Sequence, residues 1–131
     1  MITATTKGVR VSVETFYNEK VSNDIKQFVF AYRVTIENCR PESQHKGIQL
    51  LSRSWHIVNA FRHIRQVKGI GVIGKQPVIR PNQKYLYVSS TSFNTAIGKM
   101  FGHFVMKNLH DGTIFEVEIP TFVMIAPHKL N

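Results

Sequence analysis

Cysteine is nearly absent from this sequence of 131 residues, in which Cys39 is the single one. A lone cysteine cannot close an internal disulfide, and such sparse use of cysteine favours a reducing compartment. No apolar run approaches the roughly 18 residues that span a membrane, and the N-terminal segment MITATTKGVR has no apolar signal-peptide core. These absences predict a cytoplasmic protein that has no membrane partner.

Acidic residues are scarce as well, and one long stretch has none. Residues 43–110 hold ten lysines and arginines but no aspartate or glutamate, and the whole chain carries a net charge of +9. A stretch whose charges all have one sign attracts phosphates or acidic surfaces. The alternative is that the excess of positive charge does no more than keep the protein soluble. The lack of carboxylates argues against paired-carboxylate catalysis in this part of the chain.

The chain also lacks an amphipathic window of helical period, and its apolar residues alternate instead. The clearest alternation runs through residues 28–37, where Arg33, Thr35 and Glu37 are predicted to be the more exposed side chains. A period of two is typical of a half-buried β-strand. The predicted inward face consists of Phe28, Phe30, Tyr32, Val34 and Ile36.

About seven strands of this kind follow one another along the chain, separated by turn signals. The apolar pattern shifts near Leu50–Ser52, which predicts a bulge, and Asp111-Gly112 is a strong hairpin-turn signal. Trp55 is expected to lie in the core, and Tyr85 has the spacing of a tyrosine corner. Antiparallel strands that each have one solvent-exposed face predict an all-β fold, a sandwich of two sheets. The length predicts a single domain over residues 1–131.

Five motifs in order resemble those of the bacterial ApaG proteins. The resemblance covers about residues 7–122, which leaves a C-terminal tail at 123–131. The sequence departs from the family pattern at Ser54, because many relatives have histidine directly before the tryptophan, whereas here His56 follows it. The matching segments are FAYRVTIEN at 30–38, LLSRSW at 50–55, VKGIGVIGKQP at 67–77, GKMFG at 98–102 and FEVEIP at 115–120.

The resemblance implies an immunoglobulin-like, fibronectin type III-like β-sandwich of two antiparallel sheets. It implies much less about activity. The family is named for the position of its gene beside that of a diadenosine-tetraphosphate hydrolase, and it has been linked genetically to cobalt resistance and magnesium efflux. The same domain is attached to eukaryotic F-box proteins, which use it as an interaction module. No catalytic mechanism is established for the family.

A glycine-rich segment, GIGVIG at residues 69–74, fits the pattern G-x-G-x-x-G. In a dinucleotide-binding fold these glycines open a helix, but Pro77 would stop a helix here, and no acidic residue follows at the distance that a ribose partner requires. Two interpretations stay open, a tightly bent strand or loop and a loop whose backbone N–H groups bind a phosphate. The candidate anion site consists of Lys68, Gly69, Gly71, Gly74 and Lys75.

Other chemistry finds little support in the residue pattern. No pair of histidines has the spacing of a known metal site, and on one strand His56 and His63 would face opposite ways. Ser54 and His56 would project the same way, yet no acid orients the histidine as a hydrolase requires. Only nucleic-acid binding has some support, because aromatic residues are interleaved with basic ones at 61–65 and 84–87. The remaining histidines are His45, His103, His110 and His128.

We therefore expect a non-enzymatic cytoplasmic binding module that uses no cofactor and no metal, with another protein as its leading partner. The alternative is a sensor of a phosphorylated nucleotide, such as a diadenosine polyphosphate, with the link to cobalt and magnesium homeostasis that the resemblance implies. Nucleic acid is the weaker candidate. Neither the identity of the partner nor the oligomeric state follows from the sequence.

Overall fold

A computed structural model describes residues 1–19, 27–42 and 46–127. Within these ranges the chain forms nine β-strands, and no helix there is long and apolar enough to cross a membrane. The strands are β1 (Ile2–Thr6), β2 (Val9–Tyr17), β3 (Phe28–Asn38), β4 (Ile48–Asn59), β5 (Ile64–Ile70), β6 (Val78–Ile79), β7 (Lys84–Phe93), β8 (Ile97–Asn108) and β9 (Ile114–Ile125).

The strands form two antiparallel sheets. The first sheet has the order β1-β2-β3-β7, and the second has the order β5-β4-β8-β9, with the short β6 also paired to β4. This arrangement confirms the predicted β-sandwich and adds β1 and β6 to the strands that the alternation indicated. The immunoglobulin-like, fibronectin-like character stays a prediction from the resemblance.

The core lies between the sheets, and aromatic rings join them. The predicted inward face of β3 is buried, and its other face is half-buried. Tyr32 of the first sheet lies edge-on to Trp55 of the second, with ring centroids 5.6 Å apart, and Trp55 lies edge-on to Phe122 at 5.8 Å. Edge-to-face packing of this kind is favourable beyond the area that the rings bury. The prediction that Trp55 is a core residue is confirmed.

Two irregularities interrupt the second sheet. The register between β4 and β8 shifts between Leu50 and Ser52, which confirms the predicted bulge. A second shift interrupts the β8–β9 pairing, where Met100 pairs with Phe122 but Gly102 pairs with Ile119, so the extra residue lies in β9. Because β9 continues to Ile125, the first part of the predicted C-terminal tail belongs to this strand, and residues 128–131 lie outside the described residues.

The hairpin between β8 and β9 turns at the predicted Asp-Gly pair. The backbone N–H of Thr113 donates to Oδ1 of Asp111 at 2.9 Å, and its hydroxyl donates to the same oxygen at 2.7 Å. These hydrogen bonds lower the pKa of the Asp111 carboxyl. Gly112 adopts a φ of 76°, a left-handed conformation that favours glycine.

The predicted tyrosine corner is wrong, because an asparagine fixes this corner instead. Among the described residues the Tyr85 hydroxyl makes no hydrogen bond, and its ring lies tilted against Tyr87. Asn38 is fully buried at the end of β3, and its side-chain Nδ2 donates to the carbonyl of Ile79 at 3.0 Å. Its backbone carbonyl accepts from the N–H of Asn82 at 2.7 Å. The amide therefore ties β3 to the turn before β7.

Replacing Asn38 by alanine should lower the free energy of unfolding by about 1–3 kcal/mol, because the buried carbonyl of Ile79 loses its donor. Tyr85→Phe is the matched control, and its effect should stay within about 0.5 kcal/mol. Urea titrations of the two variants measure both values. A larger loss for Tyr85→Phe than for Asn38→Ala would contradict this account of the corner.

Candidate functional site

The glycine-rich segment forms a tight turn at the end of β5. Gly71, Ile73 and Gly74 have φ values of 64°, 49° and 72°. The turn closes through two backbone hydrogen bonds, from Val72 N–H to the carbonyl of Lys75 at 2.8 Å and from Lys75 N–H to the carbonyl of Val72 at 3.0 Å. The chain reverses here and no helix begins, so the segment differs from the loop of a dinucleotide-binding fold.

Gly71 is required by the shape of the turn. A Cβ atom at this position would lie 2.1 Å from the carbonyl oxygen of Lys75. The N–H of Gly71 donates to the carbonyl of Leu51 at 2.8 Å, and the N–H groups of Val72 and Lys75 are used inside the turn. The backbone donors that remain for a ligand are therefore those at the tip of the turn, at Ile73 and Gly74.

Gly69 has a different role, which is to make room for an arginine. A Cβ at Gly69 would lie 2.7 Å from Nη1 of Arg53 on the neighbouring strand β4. The same Nη1 donates to the carbonyl of Gly71 at 2.7 Å and to that of Ile70 at 3.3 Å. The glycine-rich turn thus holds the guanidinium group of Arg53 against the inner side of β5.

Arg53 faces a cleft of about 430 Å³ that opens between the two sheets at β5 and β7. We call this feature the basic cleft and define it by Tyr32, Arg53, Arg65, Ser89 and Thr91. Arg65 reaches across the cleft from β5 to β7, where its Nη2 donates to the carbonyl of Ser92 at 2.9 Å and lies 3.4 Å from the hydroxyl of Thr91.

Sequence reasoning did not find the basic cleft, although one signal of it was present. Arg53 follows the predicted bulge and precedes Trp55 by two residues, so an inward-facing Trp55 places Arg53 on the inward face as well. The predicted anion site is only partly assembled near the cleft. Gly69 and Gly71 contact Arg53, whereas the side chains of Lys68 and Lys75 are exposed.

The histidines lie apart from one another. His56 is on β4 with its ring stacked on Phe101, the centroids 4.9 Å apart, whereas His63 follows the end of β4, so the two do not share a strand. Within the described ranges no group of three histidine, cysteine or acidic side chains is placed to hold a metal ion. His45 and His128 lie outside the described residues.

The comparisons with known proteins agree with the motifs. A family model described as the ApaG domain matches residues 18–108. The chain belongs to the ApaG family. Protein ApaG of Brucella abortus (strain S19) is 42% identical over 130 residues, which cover 98% of this chain and 96% of that protein. Protein ApaG of Parvibaculum lavamentivorans is 40% identical over 129 residues, with coverage of 98% and 95%.

Two solved structures share the fold of this chain. The crystal structure described as an ApaA protein from Bordetella pertussis has a TM-score of 0.84 and 33% identity, covering 91% of this chain and 94% of that one. An X-ray structure of a structural-genomics target has a TM-score of 0.85 and 32% identity, with coverage of 98% and 94%. The ApaG match includes Arg53, Arg65 and the whole glycine-rich turn.

Alanine at Gly71 should destabilise the domain far more than alanine at Gly74. Both residues have positive φ, which costs a residue with a Cβ about 1–2 kcal/mol. Only Gly71 adds a backbone overlap, because nothing lies within 4 Å of a Cβ at Gly74. We expect about 3 kcal/mol or more for Gly71→Ala and about 1 kcal/mol for Gly74→Ala in denaturant titrations. Equal losses would show that the overlap relaxes freely.

Proposed function

We propose that this member of the ApaG family is a cytoplasmic module that acts by binding another protein and not by catalysis. One observation carries the proposal, a shallow apolar hollow of about 500 Å³ on the outer face of the second sheet. Contiguous exposed apolar surface is characteristic of interaction sites on folded domains.

The hollow crosses all four main strands of the second sheet. Val58 on β4 pairs with Ile64 on β5 and with Lys99 on β8, and Lys99 pairs with Val123 on β9. Ile64 is 62% exposed and Val123 is 55% exposed, whereas Val58 is buried and forms the floor. Phe101 also lines the hollow and adds an aromatic ring, a residue type that is enriched at protein interfaces.

Charge favours an acidic partner. Arg62 and Lys99 line the hollow, and the sequence holds no carboxylate between Glu42 and Asp111. A protein surface that presents an apolar side chain beside aspartate or glutamate would match both features, since complementary charge speeds association and selects the partner.

The arrangement around His56 supports binding over catalysis. Ser54 is buried on the same strand, and the ring of His56 stacks on Phe101. The Nδ1 atom of His56 is buried and has no hydrogen-bond partner among the described residues, so no carboxylate orients the ring. A serine nucleophile activated by histidine normally depends on such an orienting group.

Val123→Glu should weaken capture of the protein partner about tenfold or more, because it places an unpaired carboxylate in the apolar hollow. Val88→Glu is the matched control, since Val88 is 57% exposed on the other sheet. The measurement is affinity capture from the native extract, followed by calorimetry with the identified partner. Equal binding by wild type, Val123→Glu and Val88→Glu would refute the hollow as the interface.

A second candidate function is a phosphate or nucleotide sensor at the tip of the glycine-rich turn. The exposed side chains of Lys68 and Lys75 flank the turn, and the N–H groups of Ile73 and Gly74 donate to no backbone carbonyl within the described ranges. Consecutive backbone N–H groups with positive φ form concave sites for anions. Under this candidate, the genetic link of the family to cobalt and magnesium reflects a nucleotide signal.

Replacing Lys68 and Lys75 together by glutamine should weaken polyphosphate binding at this turn roughly tenfold, because two charge-assisted interactions are lost. The affinity should also fall steeply with salt, since surface charges are screened beyond about 8–10 Å. Calorimetry with ATP, diadenosine tetraphosphate and pyrophosphate measures both effects, with Arg80→Gln as a basic surface control. The absence of heat at millimolar ligand in low salt would remove this candidate.

A further inference from the structure

Strands β5 and β7 carry polar side chains where a β-sandwich normally buries apolar ones. Arg65 on β5 pairs with the inward-facing Ile57, and Ser89 on β7 pairs with the inward-facing Tyr32. Paired residues of antiparallel strands point to the same face of the sheet. Arg65 and Ser89 therefore point between the sheets, and the sandwich is open and polar along this side.

The guanidinium groups in the opening have donors to spare and no opposing charge. Arg53 uses Nη1 on backbone carbonyls, and its Nε and Nη2 make no hydrogen bond to the described residues. Neither Arg53 nor Arg65 forms an ion pair with a carboxylate in the described part of the chain. Two unpaired guanidinium groups in one cleft attract an anion that accepts several hydrogen bonds at once.

Hydroxyl groups complete the set of donors. Burial raises the pKa of the Tyr32 hydroxyl, while a hydrogen bond with Ser89 and the charge of Arg53 act to lower it. The hydroxyl groups of Ser89 and Thr91 line the same cleft.

We propose that the basic cleft binds a phosphate group, which Arg53 and Arg65 hold from two sides with the hydroxyls of Tyr32, Ser89 and Thr91 as further donors. The phosphate belongs either to a free phosphorylated molecule or to a phosphorylated side chain of a protein. The adjoining hollow of about 610 Å³ shares Arg65 and Ser92 with the cleft and leaves room for the rest of the ligand.

The proposed site is separate from the apolar hollow and from the tip of the glycine-rich turn. The apolar hollow lies on the outer face of the second sheet, whereas the cleft lies between the sheets. The tip of the glycine-rich turn offers backbone donors and two lysines, whereas the cleft offers two guanidinium groups and hydroxyls. The double lysine variant of the turn therefore leaves the donors of the cleft in place.

Calorimetry with inorganic pyrophosphate tests the site in low salt. We expect binding to the wild type, and we expect Arg65→Gln to weaken it about tenfold or more, because a charge-assisted bidentate donor is lost. Arg65 is exposed, so this variant should fold. Arg53→Lys keeps the positive charge but loses the planar guanidinium group that can donate two parallel hydrogen bonds, and it should weaken binding to a similar extent. Arg80→Gln, at an exposed position that does not line the cleft, is the control and should leave the affinity within about threefold.

A second measurement locates the phosphate. In a ¹H–¹⁵N titration with pyrophosphate, the amide signals of residues 89–92 should shift in the wild type, and Arg65→Gln should need about tenfold more pyrophosphate, or more still, to reach the same shifts. No heat and no shifts at millimolar pyrophosphate would overturn the proposal. Loss of affinity in the double lysine variant, with full affinity in Arg65→Gln, would also overturn it and would assign the anion to the turn.

Two further probes distinguish the sources of the phosphate. One is adenosine monophosphate, and the other is a phosphoserine peptide compared with its unphosphorylated twin. Tighter binding of the mononucleotide than of inorganic phosphate supports a free phosphorylated molecule. Tighter binding of the phosphopeptide than of its twin, with sensitivity to Arg65→Gln, supports a phosphorylated protein partner.

Discussion

The bulge in β4 is the constraint on which the rest of the structure depends. One extra residue between Leu50 and Ser52 moves the inward-facing positions of the strand by one place. Leu50 is buried before the bulge, and Trp55 is buried after it. Without this shift, Trp55 would point to solvent and the aromatic contacts between the sheets would be lost. The same shift turns Arg53 toward the interior.

A charged side chain inside a sandwich needs hydrogen bonds, and the glycine-rich turn supplies them. Gly69 leaves space for the guanidinium group, and the carbonyls of Ile70 and Gly71 accept its hydrogen bonds. The pattern G-x-G-x-x-G therefore has a structural explanation in this fold that needs no nucleotide. The turn presents carbonyls to the arginine on its inner side and N–H groups to solvent at its tip.

Much of the fold could be predicted from the sequence, because its signals are local. The alternation of apolar and polar residues predicted which face of β3 is buried. The shift of this apolar pattern in β4 predicted the bulge before Trp55. The basic cleft could not be predicted in this way, because it joins β3, β4, β5 and β7, and strand pairing cannot be derived from one sequence. The prediction of a tyrosine corner at Tyr85 failed for a related reason. The side chain that fixes this corner is Asn38, which is distant in sequence and resembles an ordinary loop residue.

The inward arginines also bear on how molecules of this protein meet at high concentration. Strands β5 and β7 each have one side without a neighbouring strand in the described sheets. An exposed strand of this kind can pair with a strand of another molecule and begin aggregation. Such pairing along the open side would enclose Arg53 and Arg65 away from water with no carboxylate beside them. The charge that makes the cleft attractive to an anion therefore also discourages the domains from joining edge to edge into larger sheets.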